Sequence, residues 1–395
     1  MYFFINLFWI SLSILFFCYI GYGLILLLLN AAKAIIVSPK KNPEPKEWLP
    51  VTLIVAVYNE EAILEQKISN TLAIDYPADK LNIIFITDGS VDESVNIINK
   101  YPSVILFHQQ QRKGKFAAIK RAMQSVRTPV VIFSDANTML NKECIKRMIL
   151  HYQDIKVGGV AGEKKIIHNK QVSAIGEAEG LYWKYESFLK KQDAGFNTVA
   201  GAAGELFSIR TELFKTVDDE LILDDFVTSM QVCIQGYKIA YEPGAFATEL
   251  PSASLAEEEK RKIRIAAGAY QSIGYLKSCL NIFKYPLLGF QYISRRLLRW
   301  VCCPPSLLLL FISNIFIVSN GLMPAFYTLV LYIQLLFYSM ALIGWLLVSA
   351  GKKAGILTIP FYFVFMNYCL VKGFIQFIKG KQTVLWEKSL RQAME

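Results

Sequence analysis

Hydrophobic residues occur in two patterns along this chain: long uninterrupted stretches near both ends, and short runs in the middle. The long stretches cover residues 3–37, 304–319, 324–350 and 355–378, and Lys33 is the only charge in the first of them. A helix of about 20 apolar residues crosses the ~30 Å hydrocarbon layer of a bilayer. We therefore expect a membrane anchor at residues 1–37 and two or three spans within 304–378. A cleaved signal peptide is the weaker alternative for the anchor, because no basic flank precedes it.

The middle of the chain, residues 51–254, alternates short apolar runs with amphipathic segments. The apolar runs predict strands at VTLIVAVYNE, LNIIFIT, SVILFHQ and PVVIFSDAN, and the segments between them predict helices at EAILEQKISNTLA, VDESVNIINK and GKFAAIKRAMQSV. Strands that alternate with helices form a parallel sheet with right-handed crossovers, so a doubly wound α/β domain is expected. Residues 38–50 contain four prolines, which exclude a helix and predict a linker in front of this domain.

The composition fits a chain with a soluble part and a membrane part. The 395 residues are 54% hydrophobic and 19% charged, which is too apolar for a soluble enzyme and too charged for a protein wholly within the bilayer. The net charge of +10 favours contact with lipid headgroups and phosphates, and no nucleic-acid-binding motif occurs. Seven scattered cysteines give no disulfide framework, and three widely spaced histidines exclude a His-based metal site or a Ser-His-Asp hydrolase.

Basic residues beside the apolar stretches indicate an orientation. By the positive-inside rule, those that follow the first stretch and precede the second place residues 51–254 in the cytoplasm of a multi-pass protein of the plasma (inner) membrane: Lys33, Lys40, Lys41, Lys46, Arg295, Arg296 and Arg299. Residues 255–303 are amphipathic and predict interfacial helices. Because a further crossing would leave the basic tail at 379–395 outside, residues 355–378 are expected to be re-entrant or to lie along the interface.

Two acidic turns, each at the end of an apolar strand, carry the main functional signal. Asp88 follows LNIIFIT, and Asp135 ends VVIFSD. The carboxyl ends of neighbouring parallel strands open on one crevice, so both acids are expected to face one ligand. Tyr58 and Glu60 end the first strand in the same way and would line the same pocket.

The turns around Asp88 also allow structural interpretations. Ser90 and Glu93 form a possible capping box for the next helix, in which case Asp88 still points towards a nucleobase or ribose. The basic turn RKGK offers residues such as Lys115 to a diphosphate, and a solvated surface turn is the alternative.

A hard cation is expected beside Asp135. Mg²⁺ or Mn²⁺ needs few protein oxygens when a diphosphate supplies the others, so Asp135 and the amide oxygen of Asn137 are the predicted ligands. A plain polar strand end is the alternative.

Asp224 and Asp225 form a third acidic site, in front of a helix that ends near Gly236. One of them would suffice to cap the helix, and two exceed that need. Paired carboxylates raise each other's pKa, which suits one of them to accept a proton from a sugar hydroxyl.

Seven motifs occur in the order of a known family: AVYNEE, TDGSVD, RKGK, SDAN, GAAGELFSIR, LDDF and the following GY. Over residues 51–268 the chain resembles family 2 glycosyltransferases of the A-type fold, in the membrane-embedded branch with bacterial cellulose, hyaluronan and poly-N-acetylglucosamine synthases. The resemblance implies an α/β domain at 51–254 with a mixed, mainly parallel sheet. It also implies transfer that inverts the anomeric centre in one displacement.

The resemblance further implies a role for individual residues. The residues implied to hold the nucleotide sugar are Tyr58, Glu60, Asp88, Lys115, Asp135 and Ala136. Asp135 and Asn137 would bind the metal. Asp225, eleven residues before Gly236, would be the base, with Asp224 beside it. The acceptor site is implied at Gly201, Gly204, Glu205, Arg264 and Trp386.

The chain departs from the family pattern in two places. The metal triplet DxD reads DAN, in which Asn137 keeps an oxygen ligand. Where processive members carry QxxRW, this chain has RKIRI, which keeps Arg264 but replaces the Trp that stacks on the acceptor with Ile265. Trp386 or Trp183 is a possible substitute. The departure puts long-chain synthesis in question, but not sugar transfer.

With the resemblance, the sequence predicts a metal-dependent, inverting, membrane-bound glycosyltransferase. A nucleotide-diphosphate sugar, expected to be a UDP-sugar, would donate to a polysaccharide or glycan acceptor in exopolysaccharide or cell-surface glycan synthesis. Transfer of a single sugar to a lipid-linked carrier or glycolipid is the alternative. A transporter would need more spans, and the joint presence of Asp88, Asp135 and Asp225 argues against an inactive scaffold.

Overall fold

The computed structural model describes residues 2–36, 45–167, 174–218, 220–321, 325–380 and 385. Its strands are β1 Val51–Val57, β2 Leu81–Thr87, β3 Ile105–Phe107, β4 Val130–Asp135, β5 Met139–Leu140, β6 Val157–Ile166, β7 Leu206–Arg210 and β8 Lys238–Glu249. Its longer helices are α1 Tyr2–Ile36, α2 Glu61–Leu72, α3 Ser94–Asn99, α4 Lys115–Met123, α5 Cys144–Leu150, α6 Ala174–Phe196, α7 Asp224–Ile234, α8 Leu255–Tyr275, α9 Pro286–Ser319, α10 Ala325–Ser349 and α11 Gly355–Ile378.

The eight strands form one mixed sheet in the order β3-β2-β1-β4-β7-β6-β8-β5. Strands β3, β2, β1 and β4 are parallel, β7 is antiparallel to both of its neighbours, and β6 pairs in parallel with β8. The chain order reverses beside β1, so a crevice opens at the carboxyl ends of β1 and β4. In this register Ala56 lies opposite Asp135. The four strands β1 to β4 and the three helices α2 to α4, which the sequence predicts, are all present.

Hydrophobic side chains cover both faces of the sheet. Leu64 of α2 and Met148 of α5 belong to the core on one face, and Phe116 of α4 and Met230 of α7 belong to the core on the other. Every residue of β1 is buried, as expected for a strand covered on both faces. Helices on both faces of a largely parallel half-sheet give the doubly wound arrangement that the sequence predicts.

The predicted capping roles are wrong at two helix starts. Helix α3 begins at Ser94, whose backbone N–H donates a hydrogen bond to the Asp92 carboxylate at 3.0 Å. The Ser90 hydroxyl instead accepts a hydrogen bond from the backbone N–H of Asn59 at 3.2 Å. At α7 the N-cap position is Leu223, so both acids of LDDF lie inside the first turn. In each case the side chain thought to be a cap is available for tertiary contacts.

Four helices are long and apolar enough to cross a membrane, by length and composition: α1, α9, α10 and α11. Helix α9 is a single helix of 34 residues, where the sequence predicts interfacial helices up to residue 303 and a separate apolar stretch from residue 304. The reason is that Arg295, which is 1% exposed, pairs with Glu186 of α6 rather than with water.

Helix α11 runs without interruption from Thr358 to Ile378. Its length and composition would allow it to cross a membrane, and the placement of residues 355–378 as re-entrant or along the interface stays a prediction. Pro360 lies in its first turn, where the missing backbone N–H breaks no helical hydrogen bond. Gly373 allows α11 to pack closely on α8, because a Cβ there would lie 2.4 Å from the Ala266 side chain.

Candidate active site

One cavity of about 550 Å³ connects the sheet with the apolar helices. At the ends of β1 and β4 its wall is formed by Tyr58, Glu60, Lys115, Asp135, Ala136 and Asn137. At its other end it is lined by Tyr19 of α1, Trp300 of α9, and Phe363, Met366, Asn367 and Leu370 of α11. Asp224, Asp225 and the loop Gly201–Glu205 lie along the same wall. A ligand in this cavity could therefore contact both the acidic turns and the apolar helices.

Lys115 and Asp135 form the ion pair at the sheet end of the cavity. Lys115 is the first residue of α4, and its ammonium donates to Asp135 Oδ1 at 2.5 Å. Burial alone would lower the pKa of Lys115, but Asp135, Asp224 and Asp225 together raise it. Burial raises the pKa of Asp135, and Lys115 opposes this. The ammonium thus remains charged and partly neutralises three carboxylates.

Asp88 lies behind the cavity and, within the described part of the chain, is not one of the residues that line it. It is fully buried, and its carboxylate accepts from the backbone N–H groups of Lys113 at 2.9 Å and Gly114 at 2.8 Å. Gly114 has a φ of +99°, a conformation that favours glycine. Asp88 therefore holds the turn that delivers Lys115, and the shared crevice contains Asp135 and Asp225 but not Asp88.

The turns after β1 and β2 are tied together. Asn59 adopts a φ of +53°, and its side-chain oxygen accepts from the Val91 N–H at 2.9 Å. Beside it, the Arg112 guanidinium stacks on the Tyr58 ring at 3.7 Å from the ring centroid. The RKGK turn and the first strand thus form a continuous rim on this side of the cavity.

Asp225 lies across the cavity from this rim, in the first turn of α7. A Cβ on Gly204 would lie 3.1 Å from Asp225 Oδ2 and 3.1 Å from Lys115 Nζ. The Gly204 backbone is therefore close to both of these charged groups. Burial, followed by the charge of Asp224, raises the pKa of Asp225 to about 7, although Lys115 opposes both effects. A carboxylate with such a pKa is matched to proton transfer near neutral pH. Gly201 has a φ of +95° and packs against the Phe226 ring.

A buried ion network that sequence reasoning missed lies along the cavity wall at Glu205, Glu249 and Arg261. Lys164 of β6 has a side chain that is 1% exposed, and it pairs with Glu205 at 2.5 Å and with Glu249. Burial opposes ionisation of Glu205, but Lys164 outweighs this and lowers its pKa to about 2. Asn137 donates its amide nitrogen to Glu249 at 3.1 Å, which directs the amide oxygen away from this acid. The network extends through Arg261, which pairs with Glu179 and Glu258.

Lys67 is a second residue that sequence reasoning missed. This fully buried lysine of α2 donates to Ser134 Oγ at 2.8 Å and to the Thr138 carbonyl at 2.7 Å, on either side of Asp135. Burial lowers its pKa to about 7. Its burial could have been predicted, because Lys67 directly precedes Ile68 on the apolar side of an amphipathic helix.

The predicted acceptor residues have mixed outcomes. Arg264 and Ile265 line the cavity, and burial lowers the pKa of Arg264 although Asp224 and Asp225 oppose it. Trp386 lies outside the described residues. Trp183 lines the cavity, but its ring lies 4.8 Å from Lys164 Nζ, so an ammonium packs on it. Trp300, which the sequence analysis did not consider, also lines the wall.

The residues at the sheet end fit a metal site that is shared with a ligand. Within the described ranges, no group of three or more His, Cys, Asp or Glu side chains is arranged to hold a metal ion. The carboxylate of Asp135 and the amide oxygen of Asn137 are hard oxygen donors of the type that Mg²⁺ or Mn²⁺ prefers. A cation here would need further oxygens from a diphosphate.

Comparison with known proteins agrees with this geometry. Residues 52–218 match the family described as glycosyl transferase family 2. The matched residues include both strand-end turns and the Gly201–Glu205 loop, while Asp224, Asp225 and the apolar helices lie outside them.

Relatives of the chain include poly-beta-1,6-N-acetyl-D-glucosamine synthases. The protein of this name from Staphylococcus aureus is 27% identical over 264 residues, which cover 64% of this chain and 62% of that protein. The Staphylococcus epidermidis protein is 24% identical over 229 residues, which cover 56% of this chain and 55% of that protein. The chain thus matches less than two thirds of the length of these relatives.

A solved structure is similar over nearly the whole chain. A mannosyltransferase from Pyrobaculum calidifontis, in complex with GDP-Man and Mn²⁺, superimposes with a TM-score of 0.69 and 19% identity. The match covers 95% of this chain and 100% of that chain. The likeness shows the fold, and it confirms the predicted α/β class: a glycosyltransferase A-type domain with a mixed, mainly parallel sheet and additional apolar helices.

Proposed function

We propose that this protein is a membrane-bound glycosyltransferase that transfers a sugar from a nucleotide-diphosphate sugar to a polysaccharide or glycan acceptor. The observation that carries the proposal is the single cavity in which Lys115 and Asp135 face Asp225, and which continues to α11. Such a cavity offers a place for a charged donor at one end and for an acceptor at the other. The names of the staphylococcal relatives support a polysaccharide as the product. A UDP-sugar as the donor and an exopolysaccharide as the product are further parts of this proposal.

The donor would occupy the sheet end of the cavity. Tyr58, Glu60 and Ala136 would contact the nucleotide, and Asp88 would act on it by fixing the turn that carries Lys115. Lys115 would face the diphosphate. Asp135 and Asn137 would hold Mg²⁺ or Mn²⁺, which, when bound, offsets negative charge on a departing nucleotide.

Asp225 would be the base that takes the proton from the acceptor hydroxyl, and Asp224 would keep its pKa high. The described cavity wall offers one carboxylate of near-neutral pKa next to the donor residues, which suits a single displacement with inversion. Gly201, Gly204 and Glu205 would shape the acceptor side, and Arg264 would stand close to the catalytic acids.

Transfer of a single sugar to a lipid-linked carrier is the second candidate. Two observations favour it: Ile265 stands in the wall at the position of the stacking Trp of processive members, and the cavity reaches Met366 and Leu370 of an apolar helix. A lipid tail could approach the site there.

We further propose that the four apolar helices anchor the protein in the plasma (inner) membrane with the family 2 domain in the cytoplasm. Because Arg295, Arg296 and Arg299 all pair with Glu186, they are weak evidence for orientation. The lysines near the end of α1 carry this part of the proposal.

Product analysis tests the proposal. The full chain in lipid nanodiscs would be incubated with a panel of radiolabelled nucleotide sugars and Mn²⁺, and products would be separated by size and by extraction into organic solvent. Long water-soluble products would support polysaccharide synthesis, and a single labelled sugar in the organic phase would support the lipid-linked alternative. If the chain neither hydrolysed any of the nucleotide sugars nor transferred a sugar from any of them, both candidate functions would be contradicted.

A further inference from the structure

Helix α11 differs from the other three apolar helices in what its two ends contact. Its first turn packs on the last part of α10, where a Cβ on Gly344 would lie 2.6 Å from the Leu357 backbone oxygen. Its last turns pack on Tyr270 of α8, whose ring centroid lies 5.0 Å from that of Phe374. The Tyr270 hydroxyl in turn donates to the Trp300 carbonyl of α9 at 2.6 Å.

Both of these contact regions lie where the apolar helices meet the domain of residues 51–254, which we call the domain side. Val348, near the end of α10, belongs to one apolar cluster with Ala178 of α6. Arg299, next to Trp300, pairs with Glu186 of α6 at 2.6 Å. Away from this side, α1, α9 and α10 pack in a separate cluster, which within the described ranges contains no residue of α11. Helix α11 thus begins and ends on the domain side.

Between its ends α11 runs beside α8, and both helices run in the same direction. The Tyr362 hydroxyl donates to Glu258 Oε1 at 2.9 Å, and further along Gly373 packs on Ala266. Seven of the eight residues 257–264 of α8 are charged. Charged side chains are strongly unfavourable in hydrocarbon, so α8 does not cross the core of a bilayer. A helix that follows α8 in this way does not cross it either.

Two faces of α11 have different surroundings. The residues of one face line the cavity: Phe363, Met366, Asn367 and Leu370. Another face is exposed and combines apolar residues with lysines: Val371, Lys372, Ile375, Ile378 and Lys379. This combination is typical of a helix that lies at the boundary between headgroups and acyl chains. Near its start α11 adjoins α10, whose Leu342 and Leu346 are exposed, so the lipid that would surround α10 also reaches α11.

We propose that α11 lies along the bilayer surface on the domain side and does not cross the bilayer. The partner of its exposed face is the lipid of that leaflet. The inference rests on the proposed membrane anchorage, in which α9 and α10 cross, and it adds that the end of α11 and the domain are on the same side. Helix α11 then forms the wall between the candidate active-site cavity and this leaflet.

Cysteine labelling of the full chain in membranes tests the placement. A membrane-impermeant maleimide would be applied to spheroplasts and to everted vesicles, each with one variant at an exposed position. Lys379→Cys, after α11, and Lys352→Cys, before it, should react only in the preparation in which Glu212→Cys of the domain reacts. Asn320→Cys, at the end of α9, should react only in the other preparation. The native cysteines are buried or partly buried, so the wild-type chain gives the background.

A second pair of variants reports on depth. Lys372→Cys, on the exposed face of α11, should react from the domain side, whereas Leu336→Cys, exposed near the middle of α10, should react only after solubilisation in detergent. Labelling of Lys379→Cys from the side of Asn320→Cys would overturn the placement, because α11 would then cross. A Lys372→Cys chain as unreactive as Leu336→Cys would also overturn it, since hydrocarbon or another chain would then cover this face.

Failure of the anchorage gives a different result. If Asn320→Cys and Glu212→Cys reacted in the same preparation, α9 would not cross, and the anchorage and the placement of α11 would both be contradicted. Sugar transfer is measured separately by product analysis, so a misplaced α11 is distinguished from failure of the proposed activity.

Discussion

The Asp88 carboxylate accepts a hydrogen bond from the backbone N–H of Gly114 at 2.8 Å, and through this bond the end of β2 fixes the start of α4. Lys115, the next residue, then reaches Asp135 at the end of β4. Three turns from separate strands are thus held in one arrangement by a carboxylate that does not itself line the cavity.

Loss of the Asp88 carboxylate should therefore weaken nucleotide binding from a distance. Asp88→Ala frees two backbone N–H groups and releases the RKGK turn, and we expect affinity for UDP to fall by about tenfold or more. Asp88→Asn keeps one acceptor oxygen and should lose less. Isothermal titration measures both, and equal affinities in all three proteins would show that the turn does not depend on Asp88.

Removal of the proposed base should stop transfer without affecting the donor. For Asp225→Asn we expect kcat to fall by about 10²–10⁴-fold, the usual contribution of a general base, with nucleotide affinity changed less than about threefold. Rapid-quench assays with a radiolabelled donor give the rate. Asp218→Asn, at an exposed position, is the control. A variant that turns over at the wild-type rate would remove Asp225 from this role.

The pKa of Asp225 makes a prediction for pH dependence. Only the ionised carboxylate accepts a proton, so with a pKa of about 7 the rate should rise with pH up to this value and level off above it. A divalent cation bound nearby favours the ionised form and should move the midpoint lower. The profile of kcat/KM between pH 5 and 8.5 checks this, and a flat profile would contradict it.

Asp135 should couple nucleotide binding to the metal. Chelation of divalent cations is expected to weaken binding of a nucleotide diphosphate to the wild-type chain by about tenfold or more. Asp135→Ala should bind the nucleotide weakly with or without Mn²⁺, because the carboxylate ligand is gone. A titration series with EDTA, Mg²⁺ and Mn²⁺ makes the comparison. If the variant kept the full response to Mn²⁺, the metal would have to bind elsewhere.

Glu186 should be important for folding rather than for chemistry. It is 3% exposed and pairs with Arg295 at 3.1 Å and Arg299 at 2.6 Å, and these arginines keep its pKa well below the usual range although burial opposes them. Glu186→Gln removes the counter-charge of Arg299 and one of the two acidic partners of Arg295, which also pairs with Asp193. Removal of one partner of a buried ion pair typically costs about 3–5 kcal/mol.

Thermal unfolding in detergent, followed by tryptophan fluorescence, would show a lower melting temperature for Glu186→Gln. Glu212→Gln, at an exposed position, provides the reference and should unfold like the wild type. Indistinguishable melting curves for the two variants would mean that the arginines find other partners.

The sequence predicted the half of the sheet in which each strand is a local apolar run. Strands β1 to β4 and helices α2 to α4 follow from the periodicity of apolar residues alone. Tyr58, Glu60 and Asp135 were found because ligands bind at the carboxyl ends of parallel strands. The other half was missed because its buried positions are charged. Lys164 in β6 and Glu179 in α6 interrupt the apolar pattern, and only partners from distant segments, such as Glu205 and Arg261, allow them to be buried.

The local sequence pattern also could not predict which acidic side chains face the cavity. Asp88 and Asp135 occupy equivalent places at the ends of β2 and β4, the two strands that flank β1, yet the RKGK turn folds over Asp88 and leaves Asp135 open to the cavity. The arginines of α9 looked like flanking charges of a span, and their burial depends on Glu186, more than 100 residues earlier in the sequence.

Helix α6 has a consequence for how this protein can be studied. One side of it lines the candidate active-site cavity, while Asp193 accepts hydrogen bonds from the Tyr22 hydroxyl of α1 and the Gln291 amide of α9. A fragment limited to residues 51–254 would lack both of these partners of Asp193 and would open one side of the candidate active-site cavity to solvent. The apolar helices therefore form part of the candidate site, in addition to serving as the proposed membrane anchor.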